Sequence, residues 1–312
     1  MPRRVSVLCP IDFSVASLGA LRYAAAIAER FDGELTVVTV EDPLLASMDA
    51  AAGESWHGGE THRELSRVVA DVLGRRSGTL GERLEVASGR PAEEILRLAN
   101  EHPCDLIVMS THGLTGRRRL FFGATTERVL RSAMVPVLVT RPDDPGPVSA
   151  DQIGTLVNRI LVPVDLDGSA QHTVHVAAGL APVFKAPLLV VHVVEPARLP
   201  FPRRSEAPRL DRERRAEADQ ALDALAEEML PGVLAETLVA YGDAPEEIAK
   251  IAHDRHAGLI VMPIRGEGES RIGAVAYRVL SLAAAPVLAL PASAAAERKD
   301  EVGLGAAALA VC

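Results

Sequence analysis

Aromatic side chains are nearly missing from this chain: phenylalanine, tryptophan and tyrosine together make up 3% of its 312 residues. Any core must therefore be aliphatic, and a hydrophobic content of 48% is enough to build one. A basic excess is absent as well. The formal net charge of −9 argues against a general nucleic-acid binder, which would present a basic face. Only three cysteines occur, Cys9, Cys104 and Cys312, with neither a Cys-x-x-Cys pair nor a metal spacing. Cys9 and Cys104 each open an apolar run and read as small core hydrophobes in a reducing compartment. Cys312, as the C-terminal residue, is not the cysteine of a prenylation box. No apolar run approaches a membrane span, and the six-residue apolar stretch after Arg4 is too short for a secretory signal. The expectation is a cytoplasmic protein with neither nucleic acid nor membrane among its partners.

What the chain does have is a second copy of itself. A shift of 153 places Asp12 on Asp165, Val40 on Val193, Gly89 on Gly242, Leu106–Met109 on Leu259–Met262 and Gly113 on Gly266. Beyond Gly113 the shift falls to 150, pairing Gly123-Ala124 with Gly273-Ala274 and Pro136–Leu138 with Pro286–Leu288. The second copy has thus lost three residues between the two glycines of a Gly-rich turn. Turns of this kind often hold a phosphate in α/β proteins.

Each half alternates short β-type runs with helical patterns. The first half reads as strands at Val5–Cys9, Leu35–Val40, Leu84–Ser88, Leu106–Ser110 and Val135–Thr140, with helices at Ala16–Arg30, Thr61–Gly74, Pro91–Asn100 and Thr125–Ser132. The second half repeats the strands at Ile160–Val164, Leu188–Val193, Ala235–Ala240, Leu259–Pro263 and Val287–Leu290, with a charged helix at Asp211–Met229. Apolar runs without polar alternation, separated by helices, imply a parallel sheet covered on both faces. Ligands then bind at the C-terminal edge of the strands, where strand order reverses. The stretches Asp42–Glu60 and Pro196–Pro208 read as irregular, and 292–312 as an Ala-rich tail. The division expected is 1–141 and 158–291 as domains, with 142–157, rich in Pro, Gly and Asp, as linker.

The chemistry gathers in the first half. Strand one ends in Pro10-Ile11-Asp12, and strand four in Met109-Ser110-Thr111-His112-Gly113. Nine residues later come Gly123-Ala124-Thr125-Thr126-Glu127. Gly113 and Gly123 let backbone N–H groups approach a ligand, and the helix opening near Thr125 points its positive end at the same spot. Arg117-Arg118-Arg119 lies between them, with cations suited to phosphate oxygens. Asp12 is placed to accept from an amino or hydroxyl group of a base or sugar.

Ser-Thr-His-Gly-x9-Gly-Ala-Thr-Thr-Glu-Arg-Val-Leu, followed by Pro-Val-Leu-Val, together with the opening Pro-Ile-Asp-Phe-Ser, resembles the universal stress protein family. The likeness spans both halves. It implies two tandem doubly wound Rossmann-like α/β domains, each with a five-stranded parallel sheet, related by a pseudo-two-fold axis and pairing through their last strands. The family's ATP-binding branch carries Gly-x-x-Gly-x9-Gly-[Ser/Thr]. The resemblance implies adenine contacts near Asp12 and Val40 and phosphates on the Gly loop. The nucleotide-binding set is then Pro10, Ile11, Asp12, Val40, Met109, Ser110, His112, Gly113, Gly123, Ala124, Thr125 and Thr126, with ATP and Mg2+ as ligand at low to moderate affinity. Two positions depart from the pattern. Ser110 stands where the first glycine belongs, and Ala124 replaces the hydroxyl after the last, with Thr125 or Thr126 as its substitute.

The second half keeps Pro163-Val164-Asp165 but reads Pro263-Ile264-Arg265-Gly266, then six residues, then Gly273-Ala274. Pro263 has no N–H. Glu267, Glu269 and Arg271 sum to −1 where the first loop carries three arginines, so a triphosphate is repelled. This half is expected to be degenerate. Neither His57–Glu60–His62 nor His172–His175 has the extra ligands a metal site needs. The arginines from Arg203 to Arg215 alternate with acids and read as a solvated helix face.

The leading functional expectation is a stress-response protein that binds ATP in its first half and acts as sensor or signalling module. The alternative is a nucleotide-independent scaffold whose paired domains hold a client protein. A dedicated enzyme is not expected, beyond slow ATP hydrolysis, because no nucleophile with base and orienting group is evident. Association of two chains stays open.

Overall fold

The computed structural model describes residues 4–41, 58–76, 80–111, 123–166, 170–197, 200, 203–264 and 272–291. The chain divides into two compact units at Leu156/Val157.

Unit 1 runs β1 (Ser6–Pro10), α1 (Val15–Arg30), β2 (Glu34–Glu41), α2 (Gly58–Leu73), β3 (Glu82–Ser88), α3 (Pro91–Glu101), β4 (Leu106–Ser110), α4 (Ala124–Ser132), β5 (Val137–Thr140) and α5 (Ala150–Leu156). Its strands lie in the order β3-β2-β1-β4-β5, all pairings parallel. Ser6 stands opposite Glu34, and Val7 opposite both Leu35 and Leu106. Strand β1 is where the order reverses, with β2 and β3 on one side and β4 and β5 on the other. Val7–Cys9 of β1 and all of β4 are buried because helices cover both faces of a parallel sheet.

Helix α1 shows why the chain needs so few aromatics. Ala20, Ala24, Ala25, Ala26 and Ala28 are completely buried, so the helix approaches the sheet closely. Ser14 caps it, accepting from the Ser17 N–H. At its far end Asp32 takes a φ of 47° and the Gly33 N–H returns to the Ala28 carbonyl at 2.7 Å. A Cβ at Gly33 would lie 2.3 Å from the Val5 carbonyl oxygen, so only glycine lets the chain enter β2 here.

Unit 2 repeats the pattern: β6 (Ile160–Pro163), α6 (Ala170–Phe184), β7 (Leu188–Val194), α7 (Ala207–Met229), β8 (Ala235–Tyr241), α8 (Ala244–Asp254), β9 (Leu259–Pro263), α9 (Ala274–Leu282) and β10 (Val287–Leu290). The order is β8-β7-β6-β9-β10, again parallel, with Ile160 opposite Leu188 and Leu259.

Three features differ from the sequence expectation. Helix α7 starts at Ala207, because Pro208 occupies its first turn, where a missing N–H costs nothing. The end of the stretch read as irregular, Gly58–Glu60, is the first turn of α2; the rest of it, and the tail 292–312, lie outside the described residues. The stretch read as linker is not structureless, since it holds α5 and a strap docked on α1. Tyr23, buried in α1, donates to Asp144 at 2.8 Å, and Arg22 donates to the Pro145 carbonyl at 2.8 Å. Gly19 and Gly146 make the contact possible: a Cβ on Gly19 would sit 2.2 Å from the Asp144 carbonyl oxygen, and one on Gly146 2.5 Å from that of Gly19. Ile153 of α5 is buried.

Candidate functional site

Three strand ends and one helix start meet at the C-terminal edge of unit 1, at the switch point. From β1 come Pro10, Ile11 and Asp12. The Ile11 N–H donates to the Val38 carbonyl at 2.8 Å, extending the β1–β2 ladder by one step. Asp12, half-buried, accepts at Oδ1 from the Ser14 hydroxyl at 2.6 Å and the Ser14 N–H at 3.2 Å. The Asp12 N–H in turn donates to the Ser17 hydroxyl at 3.3 Å. Between them Phe13 adopts a φ of 60°, a left-handed conformation that costs a non-glycine residue about 1–2 kcal/mol. Val40 lies half-buried at the end of β2, opposite Ala87 of β3.

From β4 come Met109, Ser110 and Thr111, all buried. The Thr111 N–H donates to the Thr140 carbonyl at 3.2 Å, and the Thr111 carbonyl accepts from the Gly123 N–H at 2.9 Å. That second bond brings the start of α4 onto the end of β4. Gly123 is the N-cap of α4, and among the described residues no side chain caps the first-turn N–H groups of the helix. Its φ of −59° and ψ of 141° suit any residue, and an added Cβ would come no closer than 3.5 Å to any of the described residues. Neither the backbone conformation nor the described neighbours therefore demand glycine at 123. Ala124 is exposed and Thr125 half-buried, whereas Thr126 is buried and donates its only hydroxyl proton to the Ser110 carbonyl at 2.9 Å.

Of the residues expected from sequence, Pro10, Ile11, Asp12, Val40, Met109, Ser110, Gly123, Ala124, Thr125 and Thr126 lie along this edge. His112 and Gly113 fall outside the described residues, as do Arg117–Arg119. Sequence reasoning missed Ser14, Ser17, Thr111 and Thr140. Laying unit 2 over unit 1 reveals three of them, because Ser17 meets Ala170, Thr111 meets Ile264 and Thr140 meets Leu290. Cys9 lies fully buried inside β1, and burial pushes its thiol far above the usual range, so it stays protonated and inert. Cys104 is half-buried rather than a core residue.

The edge of unit 2 keeps the backbone and changes the chemistry. The Val164 N–H donates to the Val191 carbonyl at 2.9 Å, that of Ile264 to Leu290 at 2.9 Å, and that of Gly273 to Ile264 at 3.0 Å, each matching its unit 1 counterpart. Gly273 caps α9 at φ −59° and ψ 143°. Yet Pro263, Ile264, Ala276 and Leu290 stand where unit 1 has Ser110, Thr111, Thr126 and Thr140. Every hydroxyl of that floor has become apolar.

The helix face read as solvated in unit 2 is not wholly so. Asp211 is buried, accepting from the Ala197 N–H at 2.9 Å and the Tyr241 hydroxyl at 2.6 Å. The Tyr241 hydroxyl, the Ala197 N–H and the nearby arginines hold the Asp211 carboxyl below its usual range. Arg215 stacks over the Tyr241 ring at 4.7 Å from its centre. Among the described residues no group of three or more His, Cys, Asp or Glu side chains is arranged to hold a metal, and no helix is long and apolar enough to cross a membrane.

Two doubly wound parallel units in tandem, each with its edge at a topological switch point, define a Rossmann-like α/β protein. The sequence pattern of the universal stress protein family matches residues 5–141 and 157–291, and the chain belongs to that family. A universal stress protein of Methanocaldococcus jannaschii is 33% identical over 138 residues, covering 43% of this chain and 81% of its own. One of Thermus aquaticus is 32% identical over 139 residues, covering 44% and 98%. The crystal structure of a universal stress protein from Archaeoglobus fulgidus matches at a TM-score of 0.66 and 20% identity, covering 92% of this chain and 98% of that one. A likeness of that size speaks for the fold.

Proposed function

We propose that unit 1 binds an adenine nucleotide, ATP with Mg2+, and that the protein serves the stress response as a sensor or signalling module. The observation that carries this reading is the start of α4: a helix N-terminus that no described side chain caps, opening on a glycine that its φ and ψ do not require. In this reading the α4 N–H groups and Thr125 meet the phosphates, while Val40 and Asp12 lie toward the base and sugar. Mg2+ would share the phosphate charge. Thr126 acts as a strut, its proton being committed to Ser110. Unit 2 is the weaker nucleotide binder. The role is binding, with hydrolysis at most slow.

A second reading, a nucleotide-free scaffold for a client protein, is favoured by Ala124, which leaves the α4 start without the hydroxyl of the family pattern. Ala124→Ser decides between them. Restoring that donor tightens ATP by up to about tenfold if the phosphates lie at the α4 start. If neither the native chain nor this variant takes up ATP at millimolar concentration, the scaffold stands.

A further inference from the structure

Strand β8 stands last in the strand order of unit 2 and presents one edge of that sheet. The Leu188 N–H donates to the Leu234 carbonyl at 2.9 Å, and the Gly242 N–H to the Val194 carbonyl at 3.2 Å. Backbone groups alternate in direction along a strand, so those of Leu234, Glu236, Leu238, Ala240 and Gly242 face β7. Those of Ala235, Thr237, Val239 and Tyr241 face outward, and among the described residues no strand pairs with them.

Edge strands are commonly guarded by charged side chains. Strand β3, at the same place in unit 1, carries Glu82, Arg83 and Glu85, and Arg83 pairs with Glu85 at 2.8 Å along the strand itself. Strand β8 has one charge, and its polar side chains are drawn back into unit 2. Glu236 pairs with Arg255 at 2.8 Å and with Arg159 at 3.3 Å. Thr237 donates to Asp223 at 2.8 Å, and Tyr241 to Asp211 at 2.6 Å. Leu238, Val239 and Ala240 are half-buried, and Leu234, just before the strand, is 76% exposed. The strand is held in place from behind and left apolar in front.

The charges beside this edge select its occupant. The bonds from Tyr241 to Asp211 and from Thr237 to Asp223 set α7 antiparallel to β8, its start beside the end of the strand. The first half of α7 carries Arg209, Arg212, Arg214 and Arg215 against Glu213, Glu217 and the buried Asp211. Its remainder carries Asp219, Asp223, Glu227 and Glu228 and no cation. That distribution opposes the helix dipole, which favours acids at the start and cations at the end, so helix stability does not account for it. A second copy laid antiparallel, about a two-fold axis at Leu238, sets the arginine-rich start of each α7 toward the acidic end of the other. The outward residues then meet as Ala235 with Tyr241 and Thr237 with Val239, and Glu236 stands opposite Ala240 rather than another charge.

We propose that β8 is a docking edge for a second copy of this chain, paired antiparallel, β8 to β8, about Leu238. The interface is isologous: the outward N–H and C=O groups join the two sheets, and the segregated charges of α7 fix the orientation. This inference does not depend on nucleotide binding by unit 1.

The test is sedimentation equilibrium of the full chain over a concentration series, with hydrogen exchange read by mass spectrometry. A monomer–dimer equilibrium is expected, with exchange across 235–241 slowing as concentration rises. Leu234→Lys alters an exposed side chain and is expected to weaken the dimer by about tenfold or more while leaving the fold intact. Val239→Pro removes an outward N–H that the β7 ladder does not use and is expected to act the same way. Glu227→Arg with Glu228→Arg reverses two charges at the end of α7, and Arg209→Glu with Arg212→Glu reverses two at its start. Each pair alone is expected to weaken the dimer, and an equimolar mixture of the two variants to recover it. A chain that stays monomeric at millimolar concentration overturns the proposal. So does a dimer whose exchange across 235–241 does not slow, or one that both Leu234→Lys and Val239→Pro leave intact. A mixture no tighter than its two components overturns the antiparallel arrangement.

Discussion

The Thr126 hydroxyl donates to the Ser110 carbonyl across 2.9 Å, inside the protein, and so ties the first turn of α4 to the last residue of β4. This bond locates a helix start over a strand end with one proton. Thr126→Val keeps the volume and removes the donor, leaving a buried carbonyl without that partner. The expected cost is about 1–3 kcal/mol of unfolding free energy, with Thr126→Ser recovering most of it. Urea denaturation of the two variants checks this; equal midpoints would show that the bond contributes nothing.

The same substitution at two glycines separates a site requirement from a packing requirement. Gly19→Ala pushes a Cβ to within 2.2 Å of the Asp144 carbonyl oxygen, so either α1 or the strap must move, at about 1–3 kcal/mol. Gly123→Ala meets none of the described residues closer than 3.5 Å and keeps an ordinary backbone conformation, so its effect on stability is expected to stay below about 1 kcal/mol. Thermal melts of both variants give the comparison.

Tyr23 sets an alkaline limit on stability. Burial first, then the Asp144 carboxylate, raises its phenol above the ordinary value of about 10. The unfolded chain therefore releases this proton first as pH rises. The Tyr23 contribution is complete below pH about 10 and is lost progressively above it, toward the raised folded value. Burial raises Cys9 in the same direction, and the hydrogen bond to Asp211 raises Tyr241. Stability measured by denaturant titration is expected to fall above pH about 10 and to fall less steeply in Tyr23→Phe. That variant also loses a hydrogen bond to a carboxylate, about 1.5–3 kcal/mol at neutral pH. A pH profile parallel to the native one would remove Tyr23 from the account.

The ten strands of the described residues were legible in the sequence, most of them because a strand buried on both faces is written as a largely aliphatic run. Strands β3 (ERLEVAS) and β8 (AETLVAY), half-exposed and carrying charged residues, were legible through the repeat. The internal repeat doubled every observation. The strap from Arg141 to α5 was not legible. Its seven-residue helix buries one side chain, Ile153, too few for a periodic signal, and it docks through Tyr23 and Asp144, 121 residues apart. Asp211 escaped for a similar reason: among alternating charges it looks solvated, and the groups that bury it, Ala197 and Tyr241, arrive from other elements. At the candidate site Gly123 and Asp12 were singled out in the sequence and lie at the edge, whereas Gly113 falls outside the described residues. The commitment of Thr126 to Ser110 needed coordinates, since a hydroxyl in a helix's first turn reads equally well as ligand or strut.

The most direct measurement is the stoichiometry of Mg-ATP binding to the full chain by calorimetry, with Gly123→Trp and Gly273→Trp in parallel. One equivalent per chain, abolished by Gly123→Trp and retained by Gly273→Trp, is the expected result. Two equivalents, none, or a single site lost only in Gly273→Trp would contradict the assignment of the nucleotide to unit 1.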